Sequence, residues 1–531
     1  MLFLRKQGKK RKILILLMIA CICVHLIVYG YLNFEGFARY CNADVYADTQ
    51  IAVRMWEQKA LFPEGWIFGN QFYVAATPVL AALMYGLTGS VNMAMVLATE
   101  IMTLLIFVSF IWMLRSMTKD ILLQVTACLV LFTANVAPYG PYSVNSMLFF
   151  TQASFYACYL ITLFVVFGDY IRVYTGEKES GIAWGLSMVL SFAMGMQSLR
   201  QTVVMVLPIL ACEIFVTLRR KILGKTAWNR KTLVRSLSYA GANLAGVVTI
   251  ELLNPPNMSI YGDLEAASLE SIVQKLEPVK TSLFEITSLS YVLEGECGKA
   301  MALVILGLVL LVVAAAFLWL IRIHREETPL ELCWLLLTVG ILGVILSTVV
   351  LNITLRGIYL FMWFPLVACS ALMLMKTMPK ILKACMILVL CGASLIGVRD
   401  SYDIYLRMIK EEPTETAQVC QWAMERDYQY VYGGYWDVAP LIAAHSDGAL
   451  TAGCWHMPAD VFQVLNLNVH QDIYGDEENK KAIYVFDSAD EESGLKAAQE
   501  RGVQLTKMVQ IGDLRVYTSP VQLMKTNPWY E

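Results

Sequence analysis

Residues 299–351 read KAMALVILGLVLLVVAAAFLWLIRIHREETPLELCWLLLTVGILGVILSTVVL. Two apolar runs, 299–321 and 331–351, flank a short polar stretch that holds Arg322 and Arg325. Beyond Lys299 and Glu331 neither run carries a charge. A helix rises about 1.5 Å per residue, so roughly 20 such residues cross the hydrocarbon core of a bilayer. Only a helix or a closed barrel satisfies every backbone amide in lipid, and runs this long and uniformly apolar select the helix. The pair reads as two membrane spans joined by a basic turn.

The same pattern recurs along the 531 residues. Further spans are expected near 13–33, 91–114, 121–138, 146–168, 181–198, 202–218, 236–253, 357–375 and 381–398, about eleven in all. The fold class is therefore mainly α, a polytopic membrane helix bundle. Composition agrees, with 57% of residues hydrophobic and 16% charged, against about 45–50% and about 25% in soluble domains. Arg5, Lys6, Lys9, Lys10, Arg11 and Lys12 precede the first run, whose length and lack of a small-x-small site read as an uncleaved anchor.

Charge fixes the expected orientation. With the N-terminus inside, the inner loops become 115–120, 169–180, 219–235, 322–330 and 376–380. The loop 219–235 holds Arg219, Arg220, Lys221, Lys225, Arg230, Lys231 and Arg235 without one acid. The outer loop 254–298 carries seven acids against Lys275 and Lys280. Cytoplasmic loops are the basic ones, and one lost or added span would invert this alternation. The expectation is a multi-pass protein of a bacterial plasma (inner) membrane, its N-terminus cytoplasmic and its C-terminus extracytoplasmic. A net charge of −2 without a basic stripe excludes nucleic acid as a partner.

The bundle is expected over 1–399, and 400–531 follows as an extracytoplasmic domain. There strand-like pieces (Tyr428–Val431, Ala482–Phe486, Val503–Val509, Asp513–Tyr517) alternate with helix-like ones (Thr414–Arg426, Glu491–Arg501), which predicts a small α/β domain. Two outer loops exceed simple turns. The first, 34–90, predicts helices near Ala47–Lys59 and Pro78–Leu87 lying on the membrane surface. The second, 254–298, opens with Asn254-Pro255-Pro256 and must start extended. Only Cys41, Cys297, Cys420 and Cys454 fall outside the spans, and they allow one or two disulfides.

Polar groups at the membrane edge are costly and so informative. Asp44 and Asp48 in the first outer loop stand four apart, hence on one face of a helix; the plain alternative is a pair of solvated carboxylates at a helix start. Arg200, in Gln197-Ser198-Leu199-Arg200-Gln201-Thr202, and Arg356, in Arg356-Gly357-Ile358-Tyr359, open at outer turns. Each could hold a phosphate by charge-assisted hydrogen bonds or snorkel to lipid headgroups. Tyr139, Tyr142, Asn145 and Gln152 surround Pro138 and Pro141, as sugar-binding groups or an interfacial aromatic belt would. The five histidines share no metal spacing, and no P-loop, GxSxG or GxGxxG occurs.

The anchor, the long first outer loop opening with an acid, and surface helices before the second span together resemble the GT-C superfamily of polytopic glycosyltransferases, which includes protein O-mannosyltransferases and the lipid A aminoarabinose transferase. The resemblance runs through Asp44, an alanine-bearing helix, Trp66 with Gly69-Asn70-Gln71, and a Pro78 helix, and covers roughly residues 1–400 in architecture. Val45 stands where the family's second acid usually follows the first. The resemblance implies a polyprenyl-phosphate sugar donor, a saccharide, lipid or protein acceptor, and inversion at the anomeric carbon. It implies Asp44 as general base with Asp48 orienting the acceptor, and Arg200 and Arg356 on the donor phosphate. Trp66, Asn70, Gln71, Tyr142 and Tyr359 would line the substrate site. No cofactor is expected; a divalent cation would need a third oxygen ligand, which the sequence does not place beside the two acids. The rival readings are a flippase for a lipid-linked saccharide and a non-catalytic envelope assembly protein acting through its tail.

Overall fold

The computed structural model describes residues 8–526 apart from 70, 136–155, 178–179, 225–228, 257–268, 326, 352–354, 411–412, 466–467, 471–472 and 474–480. Among the described residues nine helices are long and apolar enough to cross a membrane: Lys9–Arg39, Val91–Met117, Ala157–Tyr174, Thr202–Ile222, Arg230–Leu253, Lys299–Ile321, Pro329–Val350, Gly357–Thr377 and Lys380–Asp400. Two further expected spans are shorter apolar helices, Ile121–Asn135 and Gly181–Gln197. The protein is thus a multi-pass membrane protein, mainly α. The expected span at 146–168 is the helix Ala157–Tyr174, with 146–155 outside the described residues. The final span continues as one helix to Lys410.

The chain divides into two compact units. The first holds Met1–Tyr31, Ile101–Leu253 and Tyr261–Leu406; the second holds Leu32–Glu100, Asn254–Ile260 and Arg407–Glu531.

Within the first unit, helices meet where side chains are small. A Cβ at Gly195 would lie 2.0 Å from the Asn243 carbonyl oxygen, and one at Gly246 would lie 2.1 Å from that of Phe192. Helices Gly181–Gln197 and Arg230–Leu253 therefore touch backbone to backbone, the close approach that packing in lipid rewards. Asn243 fastens the contact, donating to the Ser191 carbonyl at 3.1 Å and accepting from the Thr202 hydroxyl at 2.6 Å.

The ends bearing the basic loops meet one another. Arg11 pairs with Asp120, and Lys119 Nζ lies 2.7 Å from Glu177. Lys376 Nζ donates to the Met117 carbonyl at 3.3 Å. Arg219 Nη1 and the Tyr174 hydroxyl donate to the two oxygens of Glu327, at 3.0 and 2.9 Å. All the expected inner loops share one end of this unit, as the charge alternation requires. Deeper in, Glu213 accepts from Tyr170 at 2.6 Å and Thr232 at 2.8 Å, while Asp169 accepts from Tyr239 at 2.5 Å. Buried charges without such partners would cost several kcal/mol each.

The second unit is built on a five-stranded sheet. With β1 at Trp66–Ile67, β2 at Tyr430–Gly434, β3 at Thr451–Trp455, β4 at Gln463–Val464, β5 at Val469–His470, β6 at Ala482–Phe486, β7 at Thr506–Ile511 and β8 at Leu514–Thr518, its order is β3-β2-β6-β8-β7. Strands β3, β2 and β6 run parallel, and β8 and β7 return antiparallel. Every residue of β6 is buried, as a central strand covered on both faces requires. Its core gathers Tyr432, Trp455, Phe462, Tyr484, Phe486 and Tyr517. The α/β expectation for the tail holds, and β6 has the expected bounds. The short strands β3, β4 and β5 were not foreseen.

The first outer loop belongs to this second unit. Its helix Ala43–Gln58 starts at Asn42, whose side chain accepts from Val45 N at 2.9 Å, and stops at Lys59 in left-handed backbone. Trp56 lies over Gly86 of helix Thr77–Thr88, where a Cβ would sit 2.2 Å from the indole. Several ties join the loop and the helix after it to the tail. Strand β1 pairs with β5, Gly69 N donates to Asn468 at 2.8 Å, and Ala452 N donates to the Tyr46 hydroxyl at 2.9 Å. Asp447 accepts from Ser90 Oγ at 3.0 Å and Asn92 N at 2.8 Å, capping helix Val91–Met117.

Two expectations change. Helix Ala43–Gln58 is no surface-lying amphipathic helix, because Ala43, Val45, Tyr46, Ala47, Asp48, Thr49, Ile51, Ala52 and Met55 are buried, on more than one face. Helix Thr77–Thr88 covers one side and the tail helix Ala439–Ala444 another. Among the described residues no disulfide forms; Cys41, Cys420 and Cys454 are instead buried and packed as small hydrophobes.

Candidate active site

The carboxylates come first. Asp44 and Asp48 sit one turn apart on helix Ala43–Gln58, with Asp44 in its first turn. Asp44 is half-buried, whereas Asp48 is 0% exposed. Neither oxygen of Asp48 has a hydrogen-bond partner. Burial pushes its proton affinity well above that of an ordinary carboxylic acid, the neighbouring Asp44 adds to the shift, and the Tyr73 hydroxyl opposes it. Tyr73 approaches closely enough to act on the charge, yet short of full hydrogen-bond geometry. Burial therefore favours the neutral form of Asp48. One turn away its neighbour meets solvent, so the two have different surroundings, the condition for different tasks.

A second tyrosine reaches this helix from the tail. Tyr435, just beyond β2, is 5% exposed and leans its hydroxyl toward Asp44 without completing a hydrogen bond. Trp66 is 1% exposed and its Nε1 has no hydrogen-bond partner. Gln71 is buried beside it in sequence, and Asn70 lies outside the described residues. Among the described residues no three His, Cys, Asp or Glu side chains gather to hold a metal ion.

The arginine candidates stand in the first unit. Arg200 follows Ser198, whose extended backbone ends helix Gly181–Gln197 and whose Oγ accepts from Arg200 N at 3.2 Å. A five-residue π-helix, Thr202–Val206, comes next; such turns recur at functional sites because they re-aim side chains. The Arg200 guanidinium carbon stands 4.6 Å from the ring centre of Tyr359, 5.3 Å from Tyr156 and 5.9 Å from Tyr159. Stacking engages the face of a guanidinium and not the edge that donates to phosphate. Gln201, next along, is 0% exposed with an unpartnered Oε1.

Arg356 is exposed on the turn that carries Tyr359. Helix Leu276–Thr287 holds that turn: Glu285 accepts from Gly357 N at 3.0 Å, and Ser282 Oγ donates to the Leu355 carbonyl at 3.1 Å. Tyr359 and Arg200 are thus brought together, Asp44 and Asp48 share one helix, and Tyr142 lies outside the described residues.

The sequence reading missed Tyr73, Tyr156, Tyr159, Glu285 and the role of Tyr435. Tyr73 was within reach, two residues past Gln71 in the same polar loop. Tyr435 belongs to an aromatic strip at 428–436 that gave no sign of what it would touch.

No family model matches the chain, and no curated protein matches it by sequence. Solved structures do. The fold is similar to that of ArnT from Cupriavidus metallidurans. In the undecaprenyl phosphate complex of ArnT the match has a TM-score of 0.53 at 11% identity, over 96% of this chain and 99% of that one. In its apo state the TM-score is 0.52 at 12% identity, with the same coverage. The archaeal oligosaccharyltransferase AglB from Archaeoglobus fulgidus follows at 0.47 and 9% identity, over 96% of this chain and 74% of that one.

Proposed function

We propose that this protein is a membrane glycosyltransferase that moves a sugar from a polyprenyl-phosphate-linked donor to a cell-envelope acceptor. The observation that carries the reading is the split pair Asp44 and Asp48, one half-buried and one dry, within a fold similar to that of ArnT. ArnT was crystallised with undecaprenyl phosphate. A lipid-phosphate donor suits chemistry on the outer face of a plasma membrane, since nucleotide sugars stay in the cytoplasm.

Asp44 acts as general base. It takes the proton of an acceptor hydroxyl as that oxygen attacks the anomeric carbon, the bond from that carbon to the phosphate oxygen breaks, and polyprenyl phosphate leaves. Attack opposite the leaving group inverts the anomeric centre. Asp48 orients the acceptor, and Tyr73 and Tyr435 keep both acids in place. Arg200, braced by Tyr156, Tyr159 and Tyr359, binds the donor phosphate with Arg356 and stabilises its growing charge.

The test uses the full-length protein in proteoliposomes, measuring release of polyprenyl phosphate from a panel of polyprenyl-phosphate sugars. Turnover with one donor is expected. Asp44→Asn is expected to lower it by about 10²–10⁴, and Arg200→Ala by about 10²–10³, with the thermal midpoint unchanged. Silence of wild type and variant on every donor, with labelled lipid crossing between leaflets, would instead make the protein a flippase.

A further inference from the structure

Beside the two acids, helix Ala43–Gln58 forms one wall of a pocket of about 560 Å³, its open mouth included. Ala43, Ala47, Gln50 and Arg54 contribute, spaced so that they form one stripe along the helix. At about 100° per residue, the stripe of Asp44 and Asp48 is turned a quarter to a third of the way round from it. Trp66 and Tyr435 line the facing side, with Thr451, Ala452 and Cys454 of β3 and Asn468 to His470. Tyr435 belongs to both places: it lines the pocket and leans on Asp44. All these residues lie within the second unit.

We propose that this pocket holds a sugar ring of the acceptor, next to the ring whose hydroxyl Asp44 deprotonates, so that the acceptor is a saccharide. The proposal rests on the transferase reading above but names what that reading leaves open. Its polar groups are the kind that sugars use: an indole N–H buried without a partner, a tyrosine hydroxyl, and the side-chain amides of Gln50 and Asn468. An unpartnered buried donor costs free energy until something accepts from it, and a ring of hydroxyls supplies many acceptors. Among the described residues no carboxylate and no lysine lines the pocket.

A peptide acceptor fits less well. Extended peptides bind by adding a strand to an open sheet edge, and β3 is an outer strand of the sheet that also walls the pocket. Its edge is taken, because Ala452 N already donates to Tyr46 and the Cys454 carbonyl accepts from Leu465 N at 2.8 Å. Recognition at this wall falls to side chains.

The experiment is saturation-transfer NMR on the full chain in lipid nanodiscs. The probes are di- and trisaccharides containing hexose, hexosamine, 6-deoxyhexose and uronic acid, with a neutral hexapeptide alongside. At least one saccharide is expected to bind wild type, and to bind about tenfold more weakly to Trp66→Phe, which keeps the ring and loses the N–H, and to Gln50→Ala. Binding by the peptide alone, no saccharide binding to folded wild type, or equal binding by wild type and both pocket variants would overturn the proposal. Saccharide binding of the expected pattern beside absent donor turnover would sink the transferase reading and leave the pocket standing.

Discussion

Glu327 and Asp48 are both buried carboxylates, and their surroundings are opposite. Each oxygen of Glu327 accepts a hydrogen bond, one from Arg219 and one from Tyr174, and Arg219 is itself tied to the Arg322 carbonyl at 3.2 Å. Neither oxygen of Asp48 accepts any. The first arrangement serves cohesion: both oxygens of the buried carboxylate are occupied, although Arg219 Nε has no partner. The second forgoes that protection. A folded chain keeps such a group where its altered proton affinity serves a reaction. Burial alone therefore does not distinguish glue from machinery in this molecule, whereas the state of the lone pairs does.

That contrast can be attacked from both sides. The largest effect expected is on turnover, from Asp44→Asn, at about 10²–10⁴ with no change in unfolding; loss of fold would move the acids into the structural class with Glu327. Next, Glu327→Ala leaves the Arg219 guanidinium buried without its counter-ion. It is expected to cost about 3–5 kcal/mol, read as a lower unfolding midpoint in nanodiscs. Should this variant stay as stable as wild type and lose only activity, the contrast fails.

A smaller effect of opposite sign is expected at Asp48. The folded state raises its proton affinity, so relative to the unfolded chain its contribution is harmless below about pH 4. As pH rises above that, the unfolded chain releases the proton and the folded one keeps it, so stability falls until Asp48 ionises in the fold. Asp48→Asn removes this penalty. Thermal unfolding at pH 8 should show the variant more stable by about 1–2 kcal/mol, with the gain shrinking toward pH 4. An equal effect at both pH values would mean that Asp48 is not held neutral. The smallest effect expected is Asp447→Ala, which uncaps helix Val91–Met117 at a cost of about 1 kcal/mol, seen as faster amide exchange over residues 91–94.

Much of the bundle was legible in the sequence because lipid leaves few choices. An apolar run of the right length has to be a helix, and Arg219, Lys119 and Lys376 declare which ends belong together before any contact is seen. The tail was partly legible for a local reason: β6 is an apolar run of the right length between turn signals. Two-residue strands such as β4 and β5 carry no periodicity and could not be read. The two acids were readable as neighbours from their spacing, but not as unlike neighbours. Helix Thr77–Thr88 and the tail helix Ala439–Ala444 pack on helix Ala43–Gln58, and proximity across some 390 positions, as between Asp44 and Tyr435, leaves no mark on either segment. The same holds for the aromatic rings around Arg200, which come from two other segments of the chain. Asn70 and Tyr142 lie outside the described residues.

The cap that Asp447 places on Asn92 has a bearing on how the chain is made. The two are 355 positions apart in sequence. At about 5–20 residues added per second, roughly 20–70 s pass between the synthesis of that helix start and the synthesis of its cap. The hydroxyl of Tyr46 waits as long for Ala452, and Asp44 for Tyr435. A nascent chain with most of its spans already made thus still lacks the tail segments that pack on helix Ala43–Gln58. Maturation of the acid pair is a late event, timed by the tail.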